Sequence, residues 1–490
     1  MFATVLAVAG CSKGDYYSSM PMDKEYYELG HDSESGKEGD SFDEIVENKF
    51  IKVAEQPVST FSVDADGASY SYMRRCLNSG YLPPANSVRT EEFLNYFTFD
   101  YSEPSAGEML AINAEMGVCP WNTGHMLLRL GLKGKSLSEQ EMPAANFILL
   151  VDTSGSMSGT DRIELLKSGL LNMIDYMRPD DRVAIITYAG EVKRVLESTK
   201  VKDASTIKKA IRKLEVGGFT PGGAAMQMAY DDAVKNYIKG GNNRIIMCTD
   251  GDFNVGVTST DALVEMVESY LDKGIYLSIM GFGTGNYQDS RMESLSNHGN
   301  GTYTYIDSEE EMMKVFVHER SHFVSVANDT KCQVKFFDWV DSYRLIGYEN
   351  RVMNNEDFEN DAKDAGEIGA GQTITALYEL IPAADMTQNA TAASFDVRYK
   401  TELGGESRLL HQDIGKYYEG VTKTGPEFNF AAGLAAYAML LRDSEFKGNA
   451  DFSMVKELIQ SAEKPSDGVD PLKLRSSLVK MIEKAEKLKK

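Results

Sequence analysis

The chain has 490 residues, 42% of them apolar and 10% aromatic. That suits two to four packed domains and excludes wholesale disorder. Its 74 acidic and 51 basic residues leave a net charge of −23, which argues against a nucleic-acid binder and fits a self-repelling surface or one that handles divalent cations.

The N-terminus reads MFATVLAVAGCSKGD, an apolar run of small residues that stops at Val8-Ala9-Gly10-Cys11. This resembles the lipobox of bacterial lipoproteins. The resemblance implies that residues 1–11 are a signal and that Cys11 is lipidated as the new N-terminus. No later stretch approaches the ~20 apolar residues of a spanning helix. The expected location is the bacterial cell envelope, anchored by lipid and facing the periplasm or the cell surface. Residues 12–48, with HDSESGKEGDSFDEIVEN, lack hydrophobic periodicity and read as a flexible acidic tether.

Residues 49–142 form the next unit. A strand, two short helices and a Pro83-Pro84 break precede an alternating stretch from 109 to 132, which is a β signal. Asp64-Ala65-Asp66-Gly67 is too short for a calcium loop and reads as a turn. From 143 to 326 apolar strands alternate with amphipathic helices: FILLVD, RVAIITYA, RIIMCTD, IYLSIMGFG and TYTYID are the strands. KRVLES reads as a short helix between two of them. The alternation implies a doubly wound, mostly parallel sheet covered on both faces. In its first helix, Asp161 and Glu164 suit a capping box, and Ile163, Leu166, Leu170, Ile174 and Met177 form one apolar stripe. From 327 to 425 β character returns, so the simplest architecture inserts the α/β domain into a β-rich module. Residues 426–490 are helical by period. Cys76, Cys119, Cys248 and Cys332 show no metal-type spacing, and Cys248 suits a buried strand position.

FILLVDTSGSMSG, at 147–159, sends a buried strand into a cluster of short oxygen-bearing side chains. A nucleophile elbow wants Gly-x-Ser-x-Gly, and Met157 breaks that frame. An aspartyl phosphatase wants a second acid two residues after the aspartate, where Ser154 stands. No lysine follows the glycines as a phosphate loop would require. Asp152, Ser154 and Ser156 do suit a hard cation such as Mg²⁺, Ca²⁺ or Mn²⁺. Thr220, in the Gly-rich EVGGFTPGGAA, and Asp250, ending the strand of RIIMCTDGDFN, would complete the oxygen set.

These three segments, in this order, resemble a von Willebrand factor type A domain with its metal-ion-dependent adhesion site. The resemblance implies a Rossmann-like fold and a metal held by Asp152, Ser154, Ser156, Thr220 and Asp250 at the sheet's switch point. It also implies metal-bridged binding to an Asp or Glu carboxylate of a protein partner. The flanks STFSVDADGASYSYMRRCLNSGYLPPANSVRTEEFLNYF and RLIGYENR to ITALYEL resemble the dedicated N- and C-terminal modules of a bacterial group of such proteins. The expected function is an adhesion or assembly scaffold, not an enzyme.

Two other readings stay open. His318, Glu319 and His322 spell His-Glu-x-x-His in a predicted helix, which would suit a zinc peptidase. The alternative to both is a purely structural envelope protein whose metal only stiffens its loops. GFGTGN at 281–286 lacks a dinucleotide fingerprint and reads as a loop.

Overall fold

Ala145–Asp152 lies inside a six-stranded sheet, hydrogen-bonded to Asn242–Thr249 on one side and Arg182–Ala189 on the other. The computed structural model describes residues 40–218, 223–251, 260–283, 289–384, 391–415, 424–462 and 464–490. Cys11, Thr220 and part of the GFGTGN segment lie outside these described residues. The sheet continues through Ile275–Phe282 to Tyr303–Ile306, and these five strands are parallel. Burial on both faces explains their near-continuous apolar runs.

KRVLES is a correction. It belongs to Glu191–Lys200, an edge strand antiparallel to Arg182–Ala189. Gly190, with φ +69°, lets the chain reverse at once, and pairing to an existing edge then outweighs the weak helical pattern. The capping box is also absent. The helix Ile163–Tyr176 has no side-chain cap, and Asp161 accepts from Arg75 Nη2 at 2.7 Å instead.

The two flanks interleave. Met126–Gly134, from before the α/β domain, pairs with Thr373–Pro382, from after it. Val58–Ser62 likewise pairs with Ser325–Phe336. The result is two antiparallel sheets around one shared core that includes Phe61, Leu130, Val334 and Phe395. The α/β domain is therefore an insertion whose two ends leave a common β module, as the strand pattern predicts.

Helix Ala68–Asn78 joins these bodies with two faces. Tyr70, Met73 and Leu77 enter the core built by the C-terminal helices, while Ala68, Tyr72 and Cys76 pack on the α/β sheet. The spacings i, i+3, i+7 and i, i+4, i+8 put those sets on different faces of one helix. The C-terminal helices are Pro426–Leu441, Phe452–Gln460 and Leu474–Lys489. No described helix is long and apolar enough to cross a membrane. All four described cysteines are buried free thiols. Residues 40–48, at the end of the expected tether, touch the body: Glu47 accepts from Arg442 Nη2 at 2.7 Å.

Arginines seal the seam. Arg74 donates to Asp307 (Nε, 2.7 Å), Glu311 (Nη2, 2.6 Å) and the Tyr96 hydroxyl (Nη1, 2.7 Å), all buried. Removing one partner of such a set strands the others in low dielectric. Arg74→Ala should lower stability by about 3–5 kcal/mol, read as a lower urea midpoint with the same cooperativity.

Candidate functional site

Asp152 is the last residue of its strand and is fully buried. Its Oδ1 accepts the Ser154 backbone N–H at 2.8 Å, and its Oδ2 accepts the Thr249 hydroxyl at 3.2 Å. The chain then makes a short 3₁₀ turn, Gly155–Met157. Met157 is buried in the core below and pins this loop, so the neighbouring serines have a rigid support. Ser154 Oγ and Ser156 Oγ lie 2.8 Å apart, the first buried and the second exposed. A buried carboxylate is thus followed by a buried hydroxyl and then by one at the surface.

Asp250 follows the end of the adjacent strand and is also buried. Burial pushes the Asp152 carboxyl up to about 6, and the Asp250 charge adds to the rise, while hydrogen bonds from Ser154 and Thr249 oppose it. Among the described residues no cationic side chain forms an ion pair with Asp152. Tyr188, opposite Asp152 in the strand register, is buried, and its hydroxyl is pushed well above the ordinary range by burial and by Asp152. Thr220 lies outside the described residues. The glycines that precede it reach the site's edge: Gly217 N–H donates to the Thr153 carbonyl at 2.8 Å, and a Cβ at Gly218 would press on the Ala189 carbonyl at 3.0 Å.

The donor set is oxygen only, with two buried carboxylates close enough to repel. A hard divalent cation fits that chemistry and a soft one does not. Sequence reasoning missed Thr249, which orients Asp152 and whose hydroxyl also accepts from Gly251 N–H at 3.2 Å. Its only signal is its position immediately before Asp250.

The His-Glu-x-x-His segment does not form the expected helix. Lys314–His318 is a π turn and Arg320–Phe323 a 3₁₀ turn, so the two histidines do not share one α-helical face. Glu319 accepts from Lys314 at 2.7 Å. His318 is exposed, whereas His322 is held down to about 3 by burial and the nearby Lys314 and Lys133. Among the described residues, the one group spaced to hold a metal by three His, Cys, Asp or Glu side chains is Asp329, Asp364 and Glu367.

Asp64 and Asp66 turn the chain, with Asp64 Oδ1 accepting from Asp66 N–H at 2.9 Å, and both side chains are buried. Arg351 reaches Asp64 at 2.8 Å and Asp66 at 3.7 Å. A partner nearly three hundred residues away left no local sign.

A parallel sheet with an aspartate-serine loop at one strand tip and an aspartate at the next defines a von Willebrand factor type A domain. Residues 147–252 match the family profile described as the von Willebrand factor type A domain, and residues 36–129 match one described as von Willebrand factor. Residues 321–488 match the profile of the YfbK C-terminal region. The Escherichia coli protein YfbK is 37% identical over 477 residues, covering 91% of this chain and 81% of the relative. The chain belongs to this family of bacterial type A domain proteins. A Synechocystis protein, sll0103, is 27% identical over 194 residues, 40% of this chain and 45% of that one. The solved structure of a von Willebrand factor type A protein from Catenulispora acidiphila is 15% identical, covers 77% of this chain and 90% of its own, and has a TM-score of 0.45. Type A domains typically mediate protein–protein interactions.

The pH behaviour of Asp152 gives a test. Its folded carboxyl titrates near 6 rather than its ordinary 3.8, so the folded state binds that proton more tightly than the unfolded state. Metal-free protein should lose about 3 kcal/mol as pH rises from about 4 to about 6. Asp152→Asn should flatten that loss and raise metal-free stability at pH 7 by about 1–3 kcal/mol, measured by urea unfolding in chelator.

Proposed function

We propose that this protein is a divalent-metal-dependent protein-binding scaffold of the bacterial cell envelope. Asp152, Ser154, Ser156, Thr220 and Asp250 would hold Mg²⁺, with Ca²⁺ or Mn²⁺ as chemically suitable substitutes. The observation that carries this reading is Asp152 itself: a fully buried carboxylate beside a second one, with two hydroxyls next to it and no basic partner among the described residues.

When bound, the metal supplies positive charge and an open coordination position for an oxygen of the partner. The chain's own residues set where that happens. Thr249 and the Ser154 N–H fix the Asp152 carboxylate, and the Met157 anchor holds the serine loop. Three of the five donors are neutral hydroxyls, so the two carboxylates only balance the charge of a divalent ion and leave it a coordination position to fill. An Asp or Glu of the partner fills that position as an anionic oxygen donor, which a hard cation prefers over a neutral group.

Lipidation at Cys11 would anchor the chain to a membrane. The −23 charge keeps such a tethered protein off anionic surfaces, so a metal-bridged contact has little competition from nonspecific binding.

The test is a pull-down from the native envelope using the full chain. Partners should be retained in Mg²⁺, released in chelator, and lost with Asp152→Ala while the fold persists by circular dichroism. Equal capture in chelator would overturn the reading. A chelator effect on stability alone, with capture unchanged, would favour the structural alternative.

A further inference from the structure

A cleft of about 600 Å³ lies between the α/β domain and the β module. Arg244, near the start of Asn242–Thr249, lines it. Asp250 lies past the end of that strand, so the cleft is at the opposite edge of the sheet from the metal-type site. Its size falls in the range of small-molecule sites, and domain junctions are common places for them.

The lining is polar and incompletely satisfied. Among the described residues Arg244 Nε, Asp66 Oδ2 and Asn300 Oδ1 find no hydrogen-bond partner, each residue being at most 3% exposed, and Asp66 Oδ2 has only Arg351 Nη2 at 3.7 Å. Buried polar atoms are paired in most proteins, so three on one wall mark a place where something else supplies partners.

Arg244 is the clearest case. Its Nη1 donates to Ser278 Oγ at 2.7 Å and its Nη2 to the Phe323 carbonyl at 3.0 Å. The guanidinium sits 5.1 Å from the Tyr276 ring centroid and 5.3 Å from that of Phe323. None of these neighbours carries a counter-charge, and no described carboxylate forms an ion pair with it. The other arginines at this junction, Arg74, Arg89 and Arg351, each hold two or more acids. A positioned, desolvated guanidinium without an acid is suited to receive one.

The opposite charge is in excess on the module's side. Glu367 and Asp364 line the cleft, and their carboxylate oxygens and one of Asp329 lie within 4.8 Å of one another. Lys400 pairs with Asp329 at 2.6 Å, and among the described residues no cation forms an ion pair with Asp364 or Glu367. Glu367 Oε1 is buried without a hydrogen bond. Arg244 and Glu367 feel each other's charge but form no ion pair. Both line the same cleft, which suits a molecule that carries both signs.

We propose that this cleft binds a free amino acid, its carboxylate on Arg244 and its ammonium on Glu367 and Asp364. The ligand would neutralise both uncompensated groups at once, which a simple anion or a simple cation cannot do. Asp66 and Asn300 then have room to read the side chain.

The experiment is calorimetric titration and thermal unfolding of the full chain with the protein L-amino acids, each at millimolar concentration. Propionate and ethylamine serve as single-charge controls. At least one amino acid should bind and raise the melting temperature, while neither control does. Arg244→Gln and Glu367→Gln should each weaken binding by about tenfold or more, and Asp152→Ala should leave it unchanged. Should Arg244→Gln not fold, Glu367→Gln carries the test, because it keeps the side-chain shape and removes only the charge. The proposal is overturned if no amino acid binds, or if binding survives the glutamine substitutions. It is also overturned if calcium alone stabilises the protein through Glu367, reversibly by chelator.

Discussion

Two buried arginines and one half-buried arginine hold the α/β domain against the module that surrounds it. Arg74 and Arg89 come from the N-terminal flank and grip Asp307, Glu311, Asp289 and Glu293 of the inserted domain. Arg351 comes from the C-terminal flank and reaches Asp64, Asp66, Glu293 and the Asn297 side chain. A guanidinium is costly to bury unless its donors are spent on acids, and acids are as costly without it. Each clamp therefore holds only when segments far apart in the chain meet in one register. That makes the seam a cooperative lock instead of a sliding contact, and helix Ala68–Asn78 fills the space beside it with apolar packing on two faces.

This lock gives the sheet two unlike edges. Near the strand starts, the domain is pressed against the module, and the cleft at Arg244 is what remains between them. At the strand ends, Ser156 reaches the surface while Asp152 stays buried beneath it. The same residue type does different work within this one domain. Asp307 and Asp289 are neutralised by arginine, whereas Asp152 is buried with hydroxyls and another acid for company. The first arrangement holds structure together; the second leaves a negative site whose oxygens suit a hard cation.

Much of this was legible in the sequence. Apolar runs ending in Asp152 and Asp250 gave the buried strands and their tips, because burial on both faces demands continuous hydrophobicity. The β character on either side of residues 143–326 gave the insertion. Short-range signals misled where a distant partner decided. Asp161 was suited to cap a helix but is taken by Arg75. KRVLES had a helical pattern but lay beside an open sheet edge. The His-Glu-x-x-His spacing presumed an α-helix that tightens and loosens through π and 3₁₀ turns as it joins the β module.

The sequence by itself determined the fold class, the order of the oxygen donors and the interrupted β module, since these rest on periodicity and residue type along the chain. The tertiary structure decided which charges are compensated. Whether an aspartate meets an arginine, a hydroxyl or another acid depends on contacts between residues hundreds of positions apart, as with Arg351 and Asp64. Local pattern carries no record of such pairing, because electrostatic cost is set by burial and distance in space. For the same reason Arg244 looks in sequence like any strand arginine, and only the assembled junction shows it buried without an acid.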